Sequence, residues 1–375
     1  MYNPSLSQLE VDIMLSCIKS GIDISAQQKL HFLLQQKVDW NYLISISIKH
    51  KIFLLVYSNL NKAYSNLIPD HVHKFAYDYT KDKAMGNLLV TQECLKITNL
   101  FHKNQIKCLP LKGPIVAQMF YGDLALRTFG DLDLLVRKSD FEKAQQILAD
   151  AEYQPSKLNN HKYYQQVQYY PPNIPLCIDL HYEFSPKNHF TAVNSQLFWH
   201  DLTKVTFADQ TIEVFSVENA LIYLCLEGAK EHWRSLNRLC DIYQLVLKSE
   251  LDWEISLTNA SLLNRKKAFL MGLYILKTIF KISLPDFINR NIEHSLKIKL
   301  SKKQICTYLF RRKLNLLLSI QWHLFNLQVF ELIDIVRYIF HVMKVNLKLN
   351  NSRLNDKKNL NFVNFRNLFT LRFFQ

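Results

Sequence analysis

Glycine is scarce. Seven occur in 375 residues, at positions 21, 86, 113, 122, 130, 228 and 272, roughly 2% against an average of about 7%. None of them forms G-x-G-x-x-G or G-x-x-x-x-G-K-[ST], which excludes a Rossmann fingerprint, a kinase glycine loop and a Walker A loop. A nucleotide, if bound, is held by another device. The seven cysteines (17, 94, 108, 177, 225, 240 and 306) are far apart and include no C-x-x-C pair. That excludes a zinc ribbon and a disulfide framework, and predicts small core residues in a reducing cytoplasm. Long apolar runs are missing too. The stretch from Leu314 to Met343 is broken by Gln, His, Asn, Asp and Arg, so no segment reads as a membrane span. The opening MYNPSLSQLEVDIM has neither the basic start nor the apolar run of a signal peptide.

What is present is ample apolar material, 49% of the chain, enough for a sizeable core in two or three domains. The formal charge of +14 is unevenly spread: residues 281–375 hold 17 Lys or Arg against 5 Asp or Glu, leaving a net of +2 for the first 280. Lys302-Lys303, Arg311-Arg312-Lys313, Trp322, Phe325 and Phe330 lie in this basic quarter. An RNA acceptor there would explain the charge. However, the cations alternate with Leu and Ile at helical spacing, which favours a solvated helix face.

The first hundred residues read as helices, because apolar residues recur at three and four: Leu9, Ile13, Leu15, Ile18, then Leu30, Leu33, Leu34, Val38, then Ile44 through Val56. Near His102 the texture changes. A strand is predicted at Ile106–Leu111, ended by Lys112-Gly113-Pro114. A helix from Pro114 carries Ile115, Val116, Met119 and Phe120 and stops at Gly122-Asp123. Asp131–Val136 reads as a strand, and Ser139-x-x-Glu142 has the form of a capping box opening a helix to about Asp150. The polar, Tyr-rich stretch 159–170 leads into LCIDLHYEF, which alternates like a strand. Lys204–Phe207 and Thr211–Phe215 flank Ala208-Asp209-Gln210 as a hairpin. From Val217 onward the pattern is helical again.

The chemistry concentrates in FGDLDLLV, residues 129–136. In a strand, Asp131 and Asp133 share one face while Leu132, Leu134 and Val136 point to the core. Adjacent carboxylates repel unless a cation lies between them. A hard ion such as Mg²⁺ suits oxygen ligands and leaves room for phosphate. Asp179 lies in a second strand with His181 on the same face, and three acids on neighbouring strands suit two metal ions in phosphoryl transfer. Lys112 can add positive charge to a triphosphate, and the Lys112-Gly113 turn offers backbone N–H groups at a helix start.

These motifs resemble an uncharacterised nucleotidyltransferase family of the DNA polymerase β-like superfamily, over roughly residues 40–250. The run from Leu111 to Gln154 matches its core, Ile178–His181 its I-D-L-H strand, and residues 228–246 its later Ala-Lys, Trp, Leu and Asp pattern. The resemblance implies an α+β core, a mixed sheet with flanking helices. It also implies two Mg²⁺ or Mn²⁺ ions and transfer of a nucleoside monophosphate from a nucleoside triphosphate such as ATP to an acceptor hydroxyl, with release of pyrophosphate. Asp131, Asp133 and Asp179 would be the metal ligands, with Asp179 activating the acceptor. Lys112, Gly113, Arg127, Gly130, His181 and Lys230 would contact the nucleotide. Superfamily members commonly place Gly-Ser before the D-x-D; here Lys112-Gly113-Pro114 stands there.

Several residues keep two readings. Arg127 either reaches the phosphates or caps the preceding turn, and His181 either serves Asp179 or substrate or is structural. Lys230 either touches substrate or sits on a solvated helix face. Asp241 reads as a packing or hydrogen-bonding residue. His71 and His73 have no third ligand at a recognisable spacing. The expected organisation is a helical region (1–100), a nucleotidyltransferase core (101–215), a second helical region (216–350) and a basic tail (351–375). The acceptor, oligomeric state and pathway are not legible. The competing function is a catalytically silent relative acting as a binding or regulatory partner.

Overall fold

A computed structural model describes residues 6–20, 24–156, 165–185, 193–310 and 316–329. The basic tail, Arg311-Arg312-Lys313, Phe330 and the first part of the Tyr-rich stretch lie outside the described residues. The fold mixes α and β, with helices before and after a central sheet. Helices α1 (Leu6–Ser20), α2 (Ile24–Leu34), α3 (Trp40–Lys49), α4 (Phe53–Tyr64) and α5 (Asp70–Lys103) come first. They form where the three-and-four spacing lies, burying Ile13, Met14, Leu30, Leu43 and Leu55. The 34 residues of α5 serve two cores. Its start contributes Val72 to the large helical core, and its end contributes Val90, Cys94, Ile97 and Phe101 to the core beneath the sheet.

The sheet strands are β1 (Cys108–Pro110), β2 (Asp131–Val136), β3 (Gln154–Pro155), β4 (Gln166–Tyr170) and β5 (Cys177–His181), in the spatial order β1-β2-β5-β4-β3. Only β2 and β5 run parallel; the other pairs are antiparallel. Leu132, Leu134 and Val136, with Ile178, Leu180, Val167 and Tyr169, form one buried face against the end of α5 and α7 (Phe141–Asp150). β4 lies wholly within the polar, Tyr-rich stretch; its alternating Val167 and Tyr169 are buried while Gln166 and Gln168 face the other way. A separate hairpin, β6 (Leu202–Phe207) and β7 (Gln210–Phe215), turns through Ala208 and Asp209, both at positive φ.

Two local expectations are corrected. The segment after Gly113 is not one regular helix. A single turn, α6 (Pro114–Val116), widens into a π-helical turn at Ala117–Tyr121 and ends at Gly122, whose φ of 76° needs glycine. Ser139 does not cap a helix either. Lys138–Asp140 is a 3₁₀ turn, α7 begins at Phe141, and the Ser139 hydroxyl lies 3.4 Å from Asp140 Oδ1.

Beyond the hairpin come α8 (Val217–Lys230), α9 (Leu236–Lys248), α10 (Trp253–Leu262), α11 (Lys266–Phe280), α12 (Asp286–Ser295), α13 (Lys302–Phe310) and α14 (Leu316–Leu327). Their apolar faces share the large core with α1 to α4. All seven cysteines are free thiols, six of them buried. No helix among the described residues is long and apolar enough to cross a membrane.

Candidate active site

The face of the sheet opposite the core carries the chemistry. Parallel pairing sets Asp131 opposite Cys177, Asp133 opposite Asp179 and Leu135 opposite His181, while β4 sets Gln168 opposite Asp179 and Gln166 opposite His181. Directly paired residues of neighbouring strands project to the same side, so the register alone brings two acids, an imidazole and two amides together. One ligand atom each of Asp133, Asp179 and His181 lie within 4.8 Å of one another. His181 Nε2 is 3.2 Å from Asp133 Oδ1, and its Nδ1 is buried without a partner among the described residues. Gln166 donates to Asp179 Oδ1 at 2.9 Å. Asp131 stands two residues upstream on the same face, exposed and outside this tight set.

Asp133 is 8% exposed. Burial alone would raise its carboxyl. The Lys112 ammonium, the His181 hydrogen bond and charge, and the Lys230 charge outweigh this and hold it well below the usual carboxylate range. Asp179 behaves oppositely. Burial, joined by the negative charges of Asp133 and Asp131, raises its carboxyl despite lowering by His181 and Gln168. One face thus holds an acid committed to its charge and a second that resists ionising.

Lys112 reaches this face from the turn after β1. Its Nζ lies 3.3 Å from Asp133 Oδ2 and 2.8 Å from Glu227 Oε2. Gly113 sets the direction of that turn: φ 61° with ψ −119° is a conformation for which a Cβ is poorly tolerated. The N–H-rich helix start expected here is only the single turn of α6, whose first residue, Pro114, has no N–H to offer. Gly130, just before Asp131, is exposed, and a Cβ there would meet nothing within 4 Å, leaving open space at the strand's start. Lys230, at the end of α8, bonds Glu227 Oε1 at 3.2 Å and the Phe184 carbonyl at 3.3 Å, with about a third of its side chain exposed at 31%.

Two residues differ from the sequence reading. Arg127 is turned away from the acids: its Nε and Nη2 each donate at 2.8 Å to the two oxygens of Asp241 on α9, and it is 5% exposed. Glu227 belongs to none of the sequence motifs above. The available signal was a lone acid directly after the apolar run Leu221–Leu226 of α8, where an unpaired carboxylate would be costly.

The donors fit a divalent cation. Asp133 and Asp179 supply adjacent carboxylate oxygens, and the burial and neighbouring negative charge that raise Asp179 are what a bound cation would offset. His181 adds an imidazole nitrogen, a donor that suits Mn²⁺ as well as softer ions.

Comparison with known proteins adds three findings. A family model described as uncharacterised nucleotidyltransferase matches residues 36–281. A search of curated proteins finds no match. Among solved structures, the chain is similar to an antigenic nucleotidyltransferase-like protein from Paracoccidioides brasiliensis, with 13% identity over 56% of this chain and 91% of that chain, and a TM-score of 0.33.

Proposed function

Because the chain belongs to the uncharacterised nucleotidyltransferase family, we propose that it moves a nucleoside monophosphate from a nucleoside triphosphate to an acceptor hydroxyl, releasing pyrophosphate. The acceptor would be a small molecule, a sugar derivative or a protein side chain. The observation that carries this reading is the opposition of Asp133 and Asp179 in the parallel β2–β5 pair, with His181 beside them. A fold with no ligand to bind gains nothing from a buried carboxylate against a second one that resists ionising.

In this reading Asp131, Asp133 and Asp179 hold Mg²⁺ or Mn²⁺, with His181 at the edge of the set. Such ions, when bound, neutralise charge on the transferring phosphoryl group and on the oxygens it passes between. The protein's own groups do the rest. Asp179, raised by burial and by its neighbours' charge, is suited to accept the acceptor's hydroxyl proton. Lys112 and Lys230 place ammonium charge beside the acids, where the triphosphate's negative oxygens would lie. The open space beside Gly130 leaves the strand's start accessible to phosphate.

The test is thermal unfolding with each of the four ribonucleoside triphosphates, with and without Mg²⁺ or Mn²⁺, on wild type and on an Asp131→Asn, Asp133→Asn double variant. A ligand at 100 times its dissociation constant stabilises by about 2.7 kcal/mol, a readily measured shift. Metal-dependent stabilisation that disappears in the variant is expected and also identifies the donor. Stabilisation by none of the four would move the chain to the catalytically silent reading.

A further inference from the structure

The geometry points to Glu227 as a positioning residue that sets how tightly the acids bind metal, by holding Lys112 partly away from Asp133. This inference rests on the reading of the acids as a metal site. The observation is an alternating row of charges: Asp133, Lys112, Glu227, Lys230. The Lys112 ammonium is 3.3 Å from Asp133 and 2.8 Å from Glu227, so it sits closer to the carboxylate that is not a metal donor. Glu227 is buried and spends its other oxygen on Lys230 at 3.2 Å. Arg238 on α9 adds positive charge around Glu227 while its guanidinium pairs with Glu231 at 2.7 Å and Asp241 at 3.9 Å.

A lysine beside a metal-binding carboxylate competes with the metal for the same lone pairs. Were Lys112 held by Asp133 alone, a cation would have to displace a buried ammonium that had nowhere else to go. Glu227 supplies that alternative partner, already in contact. When a cation takes Asp133, Lys112 keeps Glu227 and stays at the edge of the site, where a triphosphate's oxygens can meet it. Glu227 therefore acts through Lys112 and touches neither metal nor substrate. Its place on the last turns of α8 is rigid: Gly228 next to it lies under the buried Trp233 ring, and α8 packs on α9 and α11.

The experiment is Mn²⁺ titration of the full chain without nucleotide, read by loss of the free-ion electron paramagnetic resonance signal. It uses wild type, Glu227→Gln, Lys112→Met, the double variant and Asp133→Asn. Glu227→Gln is expected to weaken Mn²⁺ binding by about tenfold, and Lys112→Met to tighten it by about as much. In the Lys112→Met background, Glu227→Gln is expected to change binding by no more than about threefold, because the residue through which it acts is gone. A purely structural role would weaken binding equally in both backgrounds, and that result overturns the inference. So does a Lys112→Met variant that binds Mn²⁺ no more tightly than wild type, a measurement that stands even where Glu227→Gln does not fold. A wild type that binds no Mn²⁺, or an Asp133→Asn variant that binds it fully, instead overturns the metal-site reading itself.

Discussion

Arg127 and Asp241 face each other through two parallel hydrogen bonds of 2.8 Å, deep inside the protein and 114 residues apart in sequence. The pair ties the segment leading into β2 to helix α9. Tyr121 donates to the same carboxylate at 2.9 Å, and Asn87 of α5 donates to the Arg127 carbonyl at 2.8 Å. The Asp241 carboxylate thus joins α9 to Tyr121 and to the segment before β2, and α5 holds that segment through its backbone. Removing one member of such a pair strands the other charge, which costs about 3 to 5 kcal/mol. Asp241→Ala is accordingly expected to lower the urea midpoint by that equivalent. Replacing both, Arg127→Met with Asp241→Leu, should recover a large part. A double variant no better than the single one would show that the pair is not the unit that matters.

Gly228 and Trp233 make a second dependence, this one steric. A Cβ on Gly228 would fall 2.2 Å from the Trp233 ring, and one on Gly272 would fall 2.7 Å from Cys225 Sγ and 3.0 Å from the same indole. Trp233 is fully buried at 0% exposure, so its ring has little room to give. Overpacking typically costs about 1 to 3 kcal/mol and more where nothing relaxes. Gly228→Ala should lie at or above the top of that range in thermal unfolding. Adding Trp233→Leu should narrow the loss. A Gly228→Ala protein with wild-type stability would mean that the ring moves freely.

How much of this is legible in the sequence follows from how local each signal is. β2 and β5 were readable because Leu132, Leu134, Ile178 and Leu180 alternate with acids over a few residues. The hairpin was readable from its turn. Asp179 and His181 could be assigned to one face from spacing alone. Their closeness to Asp133 is implied by the family resemblance and not by spacing, because it depends on β2 pairing parallel with β5 across α7, β3 and β4. Arg127 had two readings because its partner is fixed only when α9 packs beside it. Glu227 looks like one more helical acid until the turn after β1 brings Lys112 against it. β4 was lost because its outward residues are Gln and its inward ones only Val167 and Tyr169, a short pattern inside a polar stretch.

Acid should destabilise the fold before most carboxylates titrate. His50 is buried at the end of α3. Its Nδ1 accepts from the Leu236 N–H at 3.3 Å, at the start of α9, and its ring meets Phe310 edge-on. Burial, then the Lys49 charge, push its pKa down to about 3, and burial with Arg234 and His323 lowers His232 to about 4. Both stay neutral in the fold and protonate when unfolded. Their contribution is therefore complete above the unfolded value near 6.5 and is lost as pH falls toward 4 and then 3. Each should remove about 1.4 kcal/mol per pH unit across that window. Urea midpoints measured from pH 7 to 5 should fall, and His50→Asn, which retains an acceptor for Leu236, should flatten the slope. An unchanged slope in that variant would clear His50 of the effect.

Asp131 separates structure from function more cleanly than any other acid of the site. It is the first residue of β2 and exposed, opposite Cys177, with open space at the neighbouring Gly130. No ion pair among the described residues depends on it, whereas Asp133 holds Lys112 and His181. Its negative charge also raises Asp179, so in the ligand-free fold it is a mild liability. Surface changes of this kind usually shift stability by less than about 0.5 kcal/mol. Asp131→Asn is therefore expected to leave the ligand-free urea midpoint unchanged or slightly raised, while Asp133→Asn lowers it. With Mn²⁺ and the stabilising triphosphate present, both variants should lose the metal-dependent shift. If Asp131→Asn keeps the full shift while Asp133→Asn loses it, the working donors are Asp133, Asp179 and His181 alone. The open side of the strand would then belong to substrate and not to metal.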